Sequence, residues 1–346
     1  MNALAKPTST STGFGATACT NASKGVVGRL RYRCRALRRP CRLRVNAPAP
    51  TRSRLPRAGL ACLLVTAFGW GMNWPVMKHL LTELPPLTAR GGSGLTSAIA
   101  FAAWCAASGR SLRVPRGSRV RLLIAALVNV FAWMGLSTLA LRWLHAGQGA
   151  LIVYTMPVWA TLAAWPLRGE RPSARTLAGL ALCFAGLGTL LGGGDVALSS
   201  ANLPGVVLAL SAALIFGVGT VAVKPVEGLD PLAVVAWQLG LGSLPMVLWG
   251  LAFEHANWSA LSPRGWALMT YMTVLPMGFC YVTWFAALRR LPATVAANAA
   301  LLTPVVGAVS SALALGERLG PREALAIALT VGGVALSLRR PASATR

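Results

Sequence analysis

The sequence predicts an all-α integral membrane protein in which ten transmembrane helices form an inverted repeat of two five-helix halves. Composition is the first observation behind this prediction: 55% of the 346 residues are hydrophobic and only 12% are charged, whereas soluble domains carry about 25% charge. The second is a series of ten apolar segments of about 20 residues, the length that crosses a bilayer as a helix. The third is an internal repeat, which indicates the architecture of a chain before other features do.

The apolar segments follow one another through short connections, none of them long enough to form a soluble domain. They lie near residues 58–80, 88–108, 120–141, 146–167, 174–192, 203–224, 230–251, 265–286, 293–315 and 323–339. The first five form one half, residues 58–192, and the last five form the other, residues 203–340. A glycine-rich joint near Gly192 separates the halves.

Residues 1–57 precede the first segment and carry thirteen Lys and Arg but no acidic residue. This composition is typical of a transit peptide and also of a basic disordered arm. A third interpretation is that the natural start lies downstream of this tail. We favour a disordered or spurious tail, because it has no face that could pack, and we place it on the cytoplasmic side.

Arginines in the connections predict the orientation. They cluster before the first segment, between the second and third, between the fourth and fifth, between the eighth and ninth, and after the tenth, while the alternate connections hold fewer. Positive residues favour the cytoplasmic side, so both termini are expected in the cytoplasm, in a bacterial inner membrane. Because five is an odd number, the second half enters from the opposite side, and such inverted repeats support alternating access about a midplane site.

The repeat is clearest in the blocks His145–Arg175 and Pro292–Arg322, which align without a gap. Each is an apolar helix with an internal proline, closed by Gly-Glu-Arg. The matched residues are Pro157 with Pro304, Gly169 with Gly316, Glu170 with Glu317, and Arg171 with Arg318. A proline bends its helix, either as a mobile element or as a structural kink. Each glutamate favours the positive start of the next helix, with Arg175 or Arg322 in reach, so we interpret the corners as structural clasps.

The distribution of reactive residues argues against an enzyme. The eight acidic residues and three histidines all lie in connections or at segment ends. The predicted membrane segments therefore lack the residues needed for paired catalytic carboxylates, a Ser/His/Asp set or a metal site. The seven cysteines show no metal-binding spacing. We predict no catalytic residue, no metal and no bound cofactor, and the same absence weakens a proton relay through a buried carboxylate.

Polar and aromatic residues inside the segments are candidates for a substrate cavity. An amide in hydrocarbon must find a partner, so such residues should point inward; helix–helix hydrogen bonding is the alternative explanation. Two lysines at equivalent places in the halves would hold an anionic group or form a gate, or would instead reach the interface. The candidates are Trp70, Asn73, Lys78, Trp133, Gln148, Tyr154, Lys224, Gln238, Tyr281, Trp284 and Asn298.

Four stretches resemble the EamA-type repeat of the drug/metabolite transporter superfamily. They are FGWGMNWPVMK, LPPLTAR, LALRWLHAGQGALIVYTMPVWATLAAWPLRGER and FAALRRLPATVAANAALLTPVVGAVSSALALGER, and the likeness covers roughly residues 58–340. The resemblance implies ten helices, cytoplasmic termini and a cavity lined mostly by helices 1, 3, 4, 6, 8 and 9. It also implies secondary transport, often export, of amino acids or similar metabolites. One departure is that Gly91-Gly92-Ser93-Gly94 follows Arg90, where family members often have bulky apolar residues.

We therefore expect a secondary transporter that moves a small metabolite, such as an amino acid or drug-like solute, by alternating access. Export is the expected direction. Its expected partners are that solute and the lipid bilayer, with no nucleic acid, and a homodimer is compatible with the sequence. The alternative is a non-transporting membrane scaffold or sensor whose basic tail docks anionic lipid or RNA. A scaffold of that kind needs residues 1–55, and a transporter does not.

Overall fold

The computed structural model describes residues 56–191, 201–291, 301–317 and 319–338. Several sequence-based expectations lie outside these residues. They concern the basic tail, the joint between the halves, the beginning of the ninth segment with Asn298, the side chain of Arg318 and the end of the chain.

Helices occupy ten stretches of the described chain and lie close to the ten apolar segments. They are α1 (Arg57–Leu80), α2 (Pro86–Ala107), α3 (Arg116–Ala140), α4 (Ala146–Arg168), α5 (Ala174–Leu191), α6 (Leu203–Ala222), α7 (Pro231–Phe253), α8 (Pro263–Leu288), α9 (Leu302–Leu315) and α10 (Pro321–Leu338). No strand is found among the described residues, so the all-α prediction is confirmed for this part of the chain.

Six of these helices are long and apolar enough to cross a membrane: α1, α3, α4, α6, α7 and α8. Two others, α9 and most of α5, are shorter apolar helices. The protein is thus a multi-pass membrane protein by the length and composition of its helices.

Three helices contain irregular turns near their middles. In α3, Leu127–Leu136 is π-helical, and in α8 the corresponding stretch, Leu275–Phe279, is π-helical as well. In α4 the helix is interrupted between Val153 and Met156. Such π-helical turns are frequent at functional sites because they release backbone groups and redirect side chains.

The packing of the helices follows the internal repeat. Extensively packed pairs include α5 with α10, α2 with α7, α1 with α9, and α4 with α6. Exchange of the two halves maps the first two pairs onto themselves and converts the third into the fourth. The described helices therefore pack as two related halves.

Matched glycines permit two of these close approaches. A Cβ on Gly71 of α1 would lie 3.0 Å from the carbonyl oxygen of Thr303 in α9. A Cβ on Gly217 of α6 would lie 2.5 Å from the carbonyl oxygen of Met156 in α4. The two carbonyls are 147 positions apart in the sequence, as are the repeat blocks (Arg175 and Arg322). The same glycine-to-backbone contact therefore holds together both copies of the helix pair.

The ends of the helices form two faces. The carboxylate face carries residues 81–85, 142–145, 254–262, 316–317 and 319–320, with Glu83, Glu254 and Glu317. The arginine face carries residues 108–118, 169–173 and 223–230, where Arg110 forms an ion pair of 2.8 Å with Asp230. On this face Arg168 also donates to the carbonyl of Val221, at 2.8 Å.

The second Gly-Glu-Arg corner forms a clasp, but with a different helix from the one expected. The Glu317 carboxylate accepts hydrogen bonds from the backbone N–H groups of Ala146 (2.6 Å) and Gly147 (3.0 Å), at the start of α4. Arg322, expected beside this carboxylate, donates to the carbonyl of Thr189 at 2.6 Å. The corner therefore joins the two halves, because the free N–H groups that this carboxylate binds begin a helix of the other repeat. Glu170 is exposed.

Candidate functional site

A cavity of about 480 Å³ lies among helices of both halves. Its walls come from α1, α2, α3 and α4 of the first half and from α6, α7, α8 and α9 of the second. The π-helical stretches of α3 and α8 and the residues beside the interruption of α4 contribute to the lining. The irregular turns thus place side chains toward the cavity.

One wall is an aromatic cluster contributed by α1 and α8. The ring of Trp70 lies 5.8 Å from that of Tyr281, in edge-to-face geometry, and 5.6 Å from that of Trp284. The Trp70 indole N–H donates to the carbonyl of Pro276 at 3.0 Å, within the π-helical stretch. This bond gives a partner to a backbone carbonyl and fixes the orientation of the indole.

A second aromatic cluster forms another part of the lining. The ring of Trp133 lies 6.0 Å from that of Tyr154 and 4.5 Å from that of Phe216. Trp74 lies 6.4 Å from Tyr154 on the other side. The cavity is therefore lined on two sides by flat apolar surfaces that carry polar edges.

Amide side chains supply polar groups between these walls. The Asn129 amide donates to Oε1 of Gln238 at 3.0 Å, which joins α3 to α7. Asn73 lines the same cavity, and its Oδ1 is buried without a hydrogen-bond partner among the described residues. One amide pair is thus satisfied within the protein, whereas the Asn73 acceptor remains available to a bound molecule.

Arg90, in the second turn of α2, also lines the cavity and was not among the site residues predicted from the sequence. Its side chain is only 7% exposed, and its Nε and Nη1 have no hydrogen-bond partner in the part of the chain that the structure describes. The described lining includes no other charged side chain and no carboxylate. The available signal was an arginine at the beginning of the second apolar segment, since charged groups within membrane segments are costly and usually functional.

The glycines after Arg90 explain how α2 fits beside the cavity. A Cβ on Gly91 would lie 2.9 Å from the backbone nitrogen of Val247 in α7, and one on Gly94 would clash with the Ser243 hydroxyl. Bulky residues at these places would separate α2 from α7. The departure from the family pattern is therefore a close helix contact, which holds Arg90 at the cavity wall.

The two ends of the cavity differ in exposure. Toward the carboxylate face the lining residues are buried, with Met77 2%, Thr138 3% and Leu141 1% exposed. Toward the arginine face, Thr220 is exposed, and Asn129 and Gln238 are partly exposed. The lining is thus more buried toward the carboxylate face and more exposed toward the arginine face.

Seven of the sequence-predicted candidates line this cavity: Trp70, Asn73, Trp133, Tyr154, Gln238, Tyr281 and Trp284. Three others do not. Lys78 donates to the carbonyls of Leu141 and Leu144 at the end of α3, and Lys224 is exposed beyond the end of α6. Oε1 of Gln148 accepts from the backbone N–H of His145 at 3.1 Å and caps α4, so this side chain lines a separate cavity of about 240 Å³.

The chemistry of the lining is that of a binding site. The described residues contain no group of three or more potential metal ligands. Aromatic faces, amides, hydroxyls and one guanidinium can bind a small polar solute and orient it.

Comparison with known proteins identifies relatives of similar sequence. The chain is 29% identical over 281 residues to "Uncharacterized transporter YvbV" of Bacillus subtilis (strain 168), covering 77% of this chain and 87% of the relative. It is 27% identical over 294 residues to "Probable amino-acid metabolite efflux pump" of Salmonella typhimurium (strain LT2), covering 81% and 94%. A solved crystal structure has the same fold, with a TM-score of 0.59 at 20% identity over 81% of this chain and 95% of that chain.

The model of the EamA-like transporter family matches residues 57–192 and again residues 203–339. The two matches cover most of the chain and confirm the resemblance seen in the sequence motifs. The chain therefore belongs to the EamA-like transporter family and is a membrane transporter.

Proposed function

We propose that this transporter exports a small metabolite, such as an amino acid or a drug-like solute, across the bacterial inner membrane by alternating access. The observation that carries the proposal is the cavity between the two halves. Its volume of about 480 Å³ falls within the range of about 300–1,000 Å³ found for small-molecule sites. Both halves contribute walls, so a movement of one half against the other would change which face the cavity meets.

The proposed topology is ten transmembrane helices in two inverted five-helix halves, residues 58–192 and 203–340. Support comes from the helix pairs that interchange when the halves are exchanged. The four helices beyond the six longest apolar ones, α2, α5, α9 and α10, pack against α7, α10, α1 and α5 respectively. Because each is paired with another helix, it exposes less of its surface to lipid than an isolated span.

The greater exposure of the cavity lining toward the arginine face supports export as the proposed direction of transport. The arginine face carries Arg110, Arg113, Arg116 and Arg168, and positive connections favour the cytoplasm. A cavity that is accessible from this face would receive its solute from the cytoplasm. Relatives named as amino-acid metabolite efflux pumps, in Salmonella typhimurium and Escherichia coli, support the same direction and solute class.

The test is flux in proteoliposomes that contain the full-length protein. A panel of labelled amino acids and drug-like solutes is offered, and protein-dependent movement of at least one solute down its own gradient is expected. Asn73→Ala, which removes the buried free acceptor, should reduce that flux. Lys224→Ala, at an exposed position outside the cavity, should not. A well-folded protein that moves no solute, or equal losses in both variants, would contradict the proposal.

A further inference from the structure

Arg90 is a buried cation that has no anionic partner among the described residues. It lies two turns or less from the start of α2, where the free N–H groups of the helix already create a positive end. The Glu254 carboxylate meets that positive end by accepting from the backbone N–H of Leu87 (3.2 Å) and of Thr88 (2.7 Å). It also accepts from the Thr88 hydroxyl at 2.8 Å. Glu254 is thus engaged with the backbone and does not line the cavity.

A guanidinium in this position is costly to bury. Burial of a charge is unfavourable unless the charge is paired and hydrogen-bonded. Arg90 is 7% exposed, and neither its Nε nor its Nη1 has a partner within the described ranges. A ligand that brings an anionic oxygen group would provide the missing charge and accept these two donors.

On the basis of the proposed transport function, we infer that Arg90 binds the carboxylate of the transported solute and that Asn73 Oδ1 accepts a hydrogen bond from its amino group. Both side chains line the same cavity, one with free donors and the other with a free acceptor. An α-amino acid carries both matching groups on one carbon atom. The solute class is therefore the free amino acids with apolar or aromatic side chains, which fit the aromatic walls. Amines without a carboxylate are excluded.

The first test compares free amino acids with their amides. Leucine, methionine and phenylalanine, each as the free acid and as the amide, are titrated against the full-length purified protein, with its tryptophan fluorescence as the readout. The wild-type protein should bind at least one free acid and bind its amide far more weakly. Arg90→Gln should raise the Kd of that acid by at least about 30-fold, since the loss of one partner of a buried charge pair has an effect of this size.

Two variants control this comparison. Arg264→Gln removes an exposed arginine from the first turn of α8, outside the cavity, and should leave every Kd unchanged. Arg90→Lys keeps the charge without the forked donor geometry and should restore part of the affinity. Equal binding of acid and amide by the wild-type protein, failure to bind any free acid, or an unchanged Kd in Arg90→Gln would each overturn the assignment.

The role of Asn73 has a separate test. Asn73→Leu should weaken the binding of phenylalanine and leave the binding of 3-phenylpropionate unchanged, because the latter has a carboxylate but no amino group. Equal losses for the two molecules would overturn the role of Asn73.

A further test measures the melting temperature of the protein in the absence of ligand. Arg90→Met replaces the unpaired guanidinium by an apolar side chain of similar length, so the melting temperature of the empty protein should rise. A lower melting temperature would mean that the fold itself satisfies Arg90, and would overturn the inference.

Failure of this inference can be distinguished from failure of the transport proposal. Flux that is unaffected by Arg90→Gln would overturn the anchor and leave transport standing. Carboxylate-selective binding without flux of any solute would support the anchor and contradict transport.

Discussion

Two adjacent glycines near the end of α10 have opposite surroundings. A Cβ on Gly333 would lie 2.5 Å from the carbonyl oxygen of Gly179 and 2.7 Å from Sγ of Cys183, both in α5. A Cβ on Gly332 would meet no described atom within 4 Å. The contact between α5 and α10 therefore depends on one glycine of the pair.

We expect Gly333→Ala to lower the free energy of unfolding by about 1–3 kcal/mol, because the added methyl group separates two packed helices. Gly332→Ala should be neutral or should stabilise by up to about 1 kcal/mol, because alanine favours the helix more than glycine does. Thermal or denaturant unfolding of the two variants in the same detergent checks this contrast. Similar losses at both positions would contradict the helix contact described for Gly333.

Individual residues show where sequence reasoning succeeded and where it did not. Trp70 and Tyr281 were predicted to face a cavity because polar edges avoid lipid, and they line one. Gln148 was assigned to the same cavity, but it sits at the third position of α4 and caps that helix. Which role an amide takes depends on where the helix begins to within one residue, and apolar segments do not define that boundary.

Arg90 and Lys78 show a second limit. Both are cations near segment ends, and the sequence does not say which carbonyls or cavities lie beside them. The end of α3 brings two carbonyls to Lys78, whereas none of the described residues brings a partner to Nε or Nη1 of Arg90. The difference arises from tertiary packing.

At the scale of elements, each of two connections on the carboxylate face supplies a glutamate that binds the start of the helix following the other connection. Glu83, between α1 and α2, accepts from the backbone N–H of Ser262 (2.8 Å) and from its hydroxyl (2.9 Å), at the start of α8. Glu254, between α7 and α8, holds the start of α2. Each connection thus supplies the carboxylate that the other connection's helix requires.

This exchange predicts a pH dependence. The hydrogen bond from the backbone N–H of Ser262, followed by that from its hydroxyl, holds the pKa of Glu83 below its usual value of 4.5. The stabilisation is therefore present above the pKa of the unfolded chain and is lost as the pH falls through the lower folded-state pKa. The difference in melting temperature between wild type and Glu83→Gln should be constant at neutral pH and shrink below about pH 4.5.

Glu227→Gln, which alters an exposed carboxylate on the arginine face, provides the control for this measurement. Its melting temperature should follow that of the wild type at each pH. A difference between wild type and Glu83→Gln that grows on acidification would contradict the assigned role of Glu83.

At the scale of the whole molecule, the different exposure of the two ends of the cavity predicts that cysteines placed there will react with a thiol reagent at different rates. In a background without the native cysteines, Thr220→Cys should react with a membrane-impermeant maleimide added on the side of the arginine face. The native Thr138 is 3% exposed, so Thr138→Cys should be protected from the maleimide. Fast labelling of Thr138→Cys and protection of Thr220→Cys in the solute-free protein would reverse the assignment of the ends.

The architecture was more predictable than the site. The repeat of Pro157 and Pro304, with the Gly-Glu-Arg corners, indicated two related halves, because a pattern that spans many residues survives uncertainty at any one of them. The clasp between Glu317 and the start of α4 was not foreseen, because pairing between the halves is a tertiary property.

The unpaired charge of Arg90 also has an electrical consequence. In the empty cavity this guanidinium is a net positive charge at membrane depth, and membrane voltage acts on such a charge with about 2.3 kcal/mol per 100 mV across the full field. A bound carboxylate would cancel that charge, and a zwitterion would restore it through its ammonium group. The voltage dependence of the transport cycle would then report the charge of the cargo as well as the orientation of the carrier.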